Sequence, residues 1–465
     1  MTWTADWFKG KRVTVMGLGL FGGGLGVTRF LAANGARVTV TDLRKPAELK
    51  ESLAALKGIK NIKYVLDRHR NEDFIRADMV VVNPAVPESS PFLKLAKKHN
   101  VPLDIELGVF FKLCPCQIVG VTGTNGKTTT ATLIAEFLVG MRRKVWLGGN
   151  VGKISLLEHI SEIKPDDLVV LEISSFQLLY LKHTLPNLLV SVMTNIQPNH
   201  LDRHKDMAEY IGAKQNILNG QPPFSYAVLN REDDRVRTWK TKGAPLYFGL
   251  KIHKDSYTFV KGGYFCIRQG DKICQVARVS EMKLMGQFNQ ANIVAALAVA
   301  GVFGIKPEFL RQVIRTFAGV EHRLEFVAEK NGVKYYNDSI ATNPVSVIGA
   351  LKAMPGSIHL IAGGYDKKLP FKDMAKEIVR RRVKTLILLG ATAGQIARDV
   401  KAVQGRSKLP EIVRVKDLKD AVNIGRKSAK PGEIVLLSPA CASFDMFRNF
   451  AERGDLFKKL VMEIK

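Results

Sequence analysis

The chain of 465 residues lacks any apolar run long enough to span a bilayer. Its longest weakly polar stretch, residues 291–305, falls short of the roughly 20 residues required and mixes small with branched side chains as a buried helix does. Residues 1–11 hold no apolar segment of the kind a signal peptide needs. A soluble cytoplasmic protein without membrane insertion is therefore expected. Cysteine is scarce: Cys114, Cys116, Cys266, Cys274 and Cys441 are too few and too scattered for a disulfide framework. Cys114-Pro115-Cys116 lacks partners for zinc, so all five are expected as reduced, mostly structural thiols. Acidic residues are also short, 43 against 70 lysines and arginines, which leaves a net charge of +27. Such a balance raises nucleic acid or an anionic membrane as partner. The cations are nevertheless spread along the whole chain, and runs such as Arg142-Arg143-Lys144 and Arg380-Arg381-Arg382 carry no interleaved aromatics. A solvated basic surface suited to polyanionic substrates, with no nucleic acid, is the expectation. Repeats and low-complexity tracts are missing as well, which with 46% hydrophobic and 24% charged residues excludes a solenoid or a disordered chain. At a typical domain size of roughly 150 residues, about three domains follow.

What is present is an alternation of short apolar runs and helical segments. Arg12–Met16 reads as a strand, followed by a glycine-rich turn, a helix over 25–34 stopped by Gly35, and a strand over 37–41 that ends at Asp42. Met79–Val82 continues the pattern. A second series runs from a strand at Gln117–Thr122 into a helix over 128–139, then strands over 168–173 and 188–194. After a helix over 290–302, a third series places strands over 333–336, Ile358–Ala362, 385–389 and Ile434–Leu437. Strands alternating with helices predict an α/β chain of three domains built on parallel sheets, the first and last Rossmann-like and the central one a doubly wound phosphate-loop ATPase type. The expected boundaries are 1–105, 106–318 and 319–465.

The strongest motif is Gly123-Thr124-Asn125-Gly126-Lys127-Thr128, between a strand and a helix. That arrangement points backbone N–H groups and a helix N-terminus at one spot, which is how proteins bind phosphate. Lys127 would neutralise β/γ oxygens and the Thr128 hydroxyl would ligate magnesium. The strict pattern asks for glycine where Val121 stands, so this is a variant loop. Gly17-Leu18-Gly19-Leu20-Phe21-Gly22, with Asp42 twenty residues on, matches a dinucleotide fingerprint. By itself it fits NAD, the diphosphate of another nucleotide, or a tight turn with no ligand. Glu172, at the end of its strand, offers the oxygen donors magnesium prefers. His200 and Asp202 follow another strand and read either as a second metal cluster or as ordinary loop residues. Lys214, on a helix around residues 210–218, reads by composition as a solvated surface lysine.

Taken in order, these motifs resemble the Mur ligase family of cell-wall amino-acid ligases. The resemblance spans nearly the whole chain. It adds Gly149-Asn150, Glu172-Ile173-Ser174-Ser175-Phe176-Gln177, His200-Leu201-Asp202-Arg203-His204, Ala213-Lys214, Asn289-Gln290-Ala291-Asn292 and Glu321-His322-Arg323. It continues through Asn337-Asp338-Ser339, Ala341-Thr342-Asn343, Gly363-Gly364-Tyr365-Asp366-Lys367 and the stretch 438–450. The branch it most resembles implies ATP-dependent joining of D-glutamate to UDP-N-acetylmuramoyl-L-alanine through an acyl phosphate, a step of peptidoglycan precursor synthesis by a monomeric enzyme. Another ligase of the family, with a different acceptor amino acid, is the alternative. An NAD-dependent oxidoreductase leaves the second phosphate loop unexplained, and a purely binding protein would release no ADP.

The resemblance also implies roles. Gly123, Thr124, Asn125, Gly126, Lys127, Thr128, Thr129, Asn292, Arg323 and Asp338 would bind ATP, with His322 beside them, at the junction of the second and third domains. Thr128, Glu172, His200 and Lys214 would hold Mg2+, the lysine as a CO2-derived carbamate, and Lys127, His200 and Lys214 would be catalytic. Leu20, Phe21, Asp42, Leu43, Arg44, Asn83, Asn150 and His200 would surround the UDP-sugar. Thr342, Lys367, Ser443, Phe444 and Phe450 would receive D-glutamate. Two departures stand out: Phe288 where relatives usually carry histidine, and Phe21 where a small hydroxyl residue is common.

Overall fold

The computed structural model describes the chain except for residues 1–2, 20–22, 152–154, 182–184, 186–187, 201–202, 406–409 and 465. Among the described residues the strands form three sheets. In the first, five parallel strands lie in the order Ile62–Leu66, Arg37–Asp42, Arg12–Met16, Met79–Val82, Leu103–Asp104. Chain direction across the sheet reverses beside Arg12–Met16, which makes the C-terminal ends of Arg12–Met16 and Met79–Val82, at Gly17 and Asn83, a switch point of the kind where open α/β sheets take ligands.

The second sheet runs Lys272–Arg278, Tyr264–Gln269, Ser256–Lys261, Ala244–Phe248, Tyr226–Asn230, Leu188–Met193, Gln117–Thr122, Leu168–Glu172, Val145–Gly149. Gln117–Thr122 lies between two parallel neighbours, so Gly123, Glu172 and Thr194 emerge side by side at the same sheet end. The third sheet runs Glu325–Lys330, Val333–Asn337, Ile434–Leu437, Ile358–Ala362, Thr385–Leu388, Glu411–Arg414, parallel except for its first pair.

The chain divides into two compact units. One comprises Met1–Ile196, Lys205–Val276 and Val294–Leu310, and carries the first two sheets. The other comprises Gln197–His204, Ala277–Ile293 and Arg311–Lys465, and carries the third. In the first unit the apolar sides of both sheets share one core, in which Phe30, Phe110 and Phe111 cluster with Ile118, Leu171 and Leu188. In the second, successive strand residues point to opposite faces, as strand geometry requires. Leu360 and Leu386 pack with Leu351 and Ile378 on one side; Ile361 and Ile387 pack with Val422 and Phe457 on the other. Both faces of this sheet are thus covered, which is why its strands read as unbroken apolar runs.

The strands expected at Arg12–Met16, Met79–Val82, Gln117–Thr122, Ile358–Ala362 and Ile434–Leu437 are observed with those bounds. The expected helices run Gly23–Ala33, Lys127–Leu138 and Gln287–Val302, and Gly35 takes φ 78°, the left-handed stop expected of it. The outer part of the second sheet went unread. Its strands mix polar with apolar residues because they are half exposed, and Ser256–Lys261 pairs antiparallel with Tyr264–Gln269 around Gly262 (φ 57°) and Gly263 (φ 77°). A Gly-Gly pair between two such runs is the sequence mark of a two-residue hairpin. The cysteines are free, and all but Cys274 are buried. The helix over 287–302 is buried along 293–300, as the weakly polar stretch implied.

Leu360 is wholly buried in the third sheet. Leu360→Ala should cost about 2–5 kcal/mol, read as a lower urea midpoint for loss of the second unit's signal; an unchanged midpoint would remove this strand from the core.

Candidate active site

The phosphate loop leaves the strand Gln117–Thr122 with Gly123 at φ 145° and reaches the helix Lys127–Leu138 through Gly126 at φ 83°. Glycine is required at the first position for a second reason: a Cβ there would collide with Thr194 Oγ1. Val121, the departure from the strict motif, is buried inside the strand and leaves the loop's backbone intact.

A second segment clamps the loop. The Asn195 carbonyl accepts the Thr124 amide at 2.8 Å, and its side chain accepts the Asn125 amide and donates to the Asn125 carbonyl, each at 3.0 Å. Thr194 Oγ1 donates to the same carbonyl at 2.7 Å. Thr124 Oγ1 lies 3.0 Å from the Tyr210 hydroxyl. The loop's shape is therefore held by protein groups, with Lys127 Nζ donating to the Thr124 carbonyl at 3.0 Å.

Beside the loop, Glu172 is buried and both carboxylate oxygens are engaged. Thr128 Oγ1 donates to one at 2.7 Å, and Asn150 Nδ2 donates to the other at 3.0 Å. The Asn150 amide also donates to the Glu172 carbonyl at 2.8 Å, made possible by Gly149, where a Cβ would strike that carbonyl. Thr128, Glu172 and Asn150 thus form an oxygen-rich cluster next to a helix N-terminus. Such donors fit a hard divalent cation such as magnesium, which takes one or two protein oxygens and keeps phosphate and water for the rest. Thr129 is buried, so toward a phosphate it can offer only its backbone.

Lys214 corrects the expectation of a surface residue. It is 2% exposed, and its Nζ donates to the Gly123 carbonyl at 2.6 Å and lies 4.9 Å from the centre of the Tyr210 ring. Burial, and secondarily the charge of Lys127, push its pKa well below the ordinary value, against the pull of Glu172. The signal was present: Tyr210, Ala213, Ile217 and Leu218 are all buried on the helix Met207–Asn219, and their spacing puts Lys214 on the same stripe. Burial and the lowered pKa set this amine apart from a solvated surface lysine.

At the first sheet's switch point, Asp42 accepts the Gly19 amide at 3.3 Å and the Arg44 amide at 2.9 Å, and Asn83 Nδ2 donates to the Gly17 carbonyl at 3.3 Å. Leu43 is 65% exposed beside them. Leu20 and Phe21 lie outside the described residues, as do Leu201 and Asp202.

The remaining expected residues belong to the second unit. His200 has φ 55°, and its amide is held by Asn199 Oδ1 at 3.0 Å. Asn292 Nδ2 donates to Asn289 Oδ1 at 2.9 Å. Asp338 is buried and accepts the Ser438 hydroxyl at 2.6 Å and the Leu324 amide at 3.2 Å. Burial raises its pKa to about 7, against the hydrogen bond from Ser438 and the charge of Arg323. Arg323 Nε is buried without a hydrogen-bond partner among the described residues, a donor left over beside that carboxyl. Glu321, His322 and Asp455 are grouped closely enough to hold a cation, but Lys458 forms ion pairs with both acids and already supplies the positive charge. Lys367 Nζ lies 3.5 Å from Thr342 Oγ1, Ser443 is buried, and Phe444 and Phe450 are exposed. Of the four residues expected to hold metal, the first unit brings Thr128, Glu172 and Lys214 together, while His200 is carried by the other unit. Asn195 and Tyr210 escaped the sequence reading because single polar residues after strands or on helices carry no pattern.

A phosphate loop on a parallel sheet, with an adjoining acid and a buried lysine, defines a nucleotide-binding α/β protein equipped for phosphoryl chemistry. Family models narrow this. Residues 11–104 match the Mur ligase MurD-like N-terminal domain, 121–300 the Mur ligase middle domain, and 322–441 the Mur ligase glutamate ligase domain. The chain belongs to the Mur ligase family. It is 42% identical to the UDP-N-acetylmuramoylalanine--D-glutamate ligase of Roseiflexus sp. (strain RS-1), with 97% of this chain and 98% of the relative aligned. It is 40% identical to the protein of the same name from Acetivibrio thermocellus, over 98% and 97% of the two chains. Among solved structures, the UDP-N-acetylmuramate-alanine ligase MurC from Thermotoga maritima matches with a TM-score of 0.63 at 18% identity, covering 98% of this chain and all of that one. A pseudomurein peptide ligase type C from Methanothermus fervidus matches with 0.60 at 19%, at the same coverage. These two matches establish the three-domain α/β fold.

Because the folded-state pKa of Lys214 lies below its ordinary value of 10.5, the unfolded chain binds more protons than the folded one between those two values. Stability of the ligand-free protein therefore rises with pH across that window. Lys214→Met should raise the melting temperature at about pH 7 and flatten its rise toward about pH 10 relative to the parent; parallel curves would show that the lysine is charged in the fold.

Proposed function

We propose that this protein joins D-glutamate to UDP-N-acetylmuramoyl-L-alanine, converting ATP to ADP and phosphate, in the cytoplasm and as a monomer. The observation that carries the reading is the end-to-end similarity, at about 40% identity, to relatives named for that reaction. No described helix is long and apolar enough to cross a membrane. The loop at Gly123–Thr128, the cluster at Glu172 and the buried Lys214 are the equipment an acyl-phosphate mechanism needs.

In that mechanism an oxygen of the alanyl carboxylate attacks the γ-phosphorus of ATP and the bond to ADP breaks. The D-glutamate nitrogen then attacks the acyl carbon, loses a proton, and phosphate leaves. Both steps gather negative charge on oxygen, so fixed donors and cations that need no rearrangement lower the barrier. Gly123, Thr124, Asn125, Gly126, Lys127, Thr128 and Thr129 are assigned to the phosphates, with the Thr124 and Asn125 amides held by Asn195 to shape the loop. Asn292, Arg323 and Asp338 serve the remainder of ATP. Thr128, Glu172 and His200 are assigned to magnesium, which when bound neutralises phosphate oxygens. Lys214 is assigned a carbamate: its uncharged nitrogen forms a bond to the carbon of CO2 as one C=O electron pair moves onto oxygen, the N–H proton passes to water, and the amine becomes an anionic oxygen donor. Desolvation, which disfavours the charged form of the amine, is what favours that addition.

Leu20, Phe21, Asp42, Leu43, Arg44, Asn83, Asn150 and His200 are assigned to the UDP-sugar, and Thr342, Lys367, Ser443, Phe444 and Phe450 to D-glutamate. The corresponding domains are 1–105, 106–318 and 319–465.

Phosphate release from ATP, followed with UDP-N-acetylmuramoyl-L-alanine and a panel of D- and L-amino acids, should show turnover with D-glutamate. Turnover with another amino acid and none with D-glutamate would reassign the protein to a sister ligase. Lys214→Ala should lose most activity and regain part of it with added short-chain carboxylates; full activity without them would eliminate the carbamate.

A further inference from the structure

Arg453 lies on the helix Phe450–Met462, is 2% exposed, and no Asp or Glu among the described residues is within ion-pair distance of it. Its guanidinium is held instead by neutral oxygens. Nε donates to Ser339 Oγ at 3.0 Å and Nη2 to the Ser339 carbonyl at 2.8 Å. Nη1 and Nη2 each donate to the Cys441 carbonyl at 3.2 Å, and Nη1 also reaches the Ala442 carbonyl at 3.4 Å. A third segment closes over the same group: at Gly364, φ 145°, a Cβ would stand 3.4 Å from Nη1 and run into the Ala442 carbonyl. Ser339 Oγ in turn donates to the Phe450 carbonyl at 2.7 Å.

Each of these segments carries a residue assigned above to the amino-acid substrate. Thr342 follows Ser339 by three positions, Lys367 follows Gly364 by three, and Ser443 follows Ala442 directly. One side chain is hydrogen-bonded to the roots of two of these loops and is covered by the root of the third. A buried cation satisfied by carbonyls is costly to desolvate and adds little net stability compared with an apolar residue of equal volume. Its charge is therefore better explained by what approaches the loops than by the fold.

We propose that Arg453 is the positioning residue of the amino-acid site: it sets the mutual spacing of Thr342, Lys367 and Ser443 and supplies a fixed positive charge beneath them, which favours an acidic acceptor over a neutral one. The group does not touch substrate. It acts through the three loops and through its field, which in a buried setting is screened far less than at a surface. Asp338, by contrast, takes its hydrogen bonds from Ser438 and the Leu324 amide, and Arg453 reaches it only through its charge, more weakly than Arg323 does. Nucleotide affinity should accordingly survive its replacement.

The inference rests on the ligase reading, and the parent enzyme separates the two: if the parent does not use D-glutamate, the reading fails whatever Arg453 does. With an active parent, steady-state kinetics of Arg453→Met and Arg453→Lys should show the KM for D-glutamate raised at least tenfold in the methionine variant, with the KM for ATP and for the UDP-sugar within twofold of the parent. The lysine variant, which keeps the charge and loses the fork, should recover part of that loss and retain more of the preference for D-glutamate over D-glutamine. Should the methionine variant fail to fold, the lysine variant alone must still show a raised KM for D-glutamate with the KM for ATP unchanged. Equal changes in all three KM values, or an unaltered KM for D-glutamate alongside a lowered melting temperature, would reduce Arg453 to a packing residue and overturn the proposal.

Discussion

Glu172 is the tie on which the catalytic end of the second sheet depends. Its two oxygens and its carbonyl bind Thr128, the first hydroxyl of the phosphate-loop helix, and Asn150, the residue after the strand Val145–Gly149. A buried carboxylate needs such donors, since an unpaired charge in the interior is prohibitive. Satisfying it draws two strand ends and a helix N-terminus to one point. Asn195 and Thr194 complete the restraint from the other side of the loop. The phosphate site is consequently rigid because the groups around it solve one another's hydrogen-bonding requirements, and preorganisation of this kind is what makes fixed donors effective in a transition state.

Two buried titratable groups, one in each unit, show the same force with opposite sign. Desolvation lowers the pKa of Lys214 and raises that of Asp338 to about 7, so in each case burial favours the uncharged form. For Lys214 the result is an amine whose charged form is disfavoured next to the phosphate loop. For Asp338 it is a carboxyl shared among Ser438, the Leu324 amide and the field of Arg323. Perturbed groups that also have specific partners tend to mark functional sites, and both of these fall on residues singled out by motif.

Much of the fold could be read in advance, because strands buried on both faces appear as unbroken apolar runs and helix stops appear as glycine. Five strands were placed with their observed bounds. The edge strands between Ala244 and Arg278 were not, since half-exposed strands mix polar with apolar residues and only the Gly262-Gly263 hairpin betrays them. At the site, the loop and Glu172 were legible as pattern, whereas Lys214 was misread on composition despite sitting on an apolar stripe with Tyr210, Ala213 and Ile217.

By itself, the sequence determined the local chemistry: a glycine-lysine-hydroxyl loop between strand and helix, a second glycine turn with an acid after it, and a string of motifs in the order of one ligase family. These are properties of neighbours along the chain, where spacing alone fixes which groups can meet. Tertiary structure decided everything that required distant segments to share an interior. It made Lys214 a buried amine of depressed pKa on the Gly123 carbonyl, gave Glu172 its partners, and set the Arg453 guanidinium among carbonyls from residues up to 114 positions away. Desolvation is the physical reason: a charge's state depends on what surrounds it in space, and no pattern along the chain reports that.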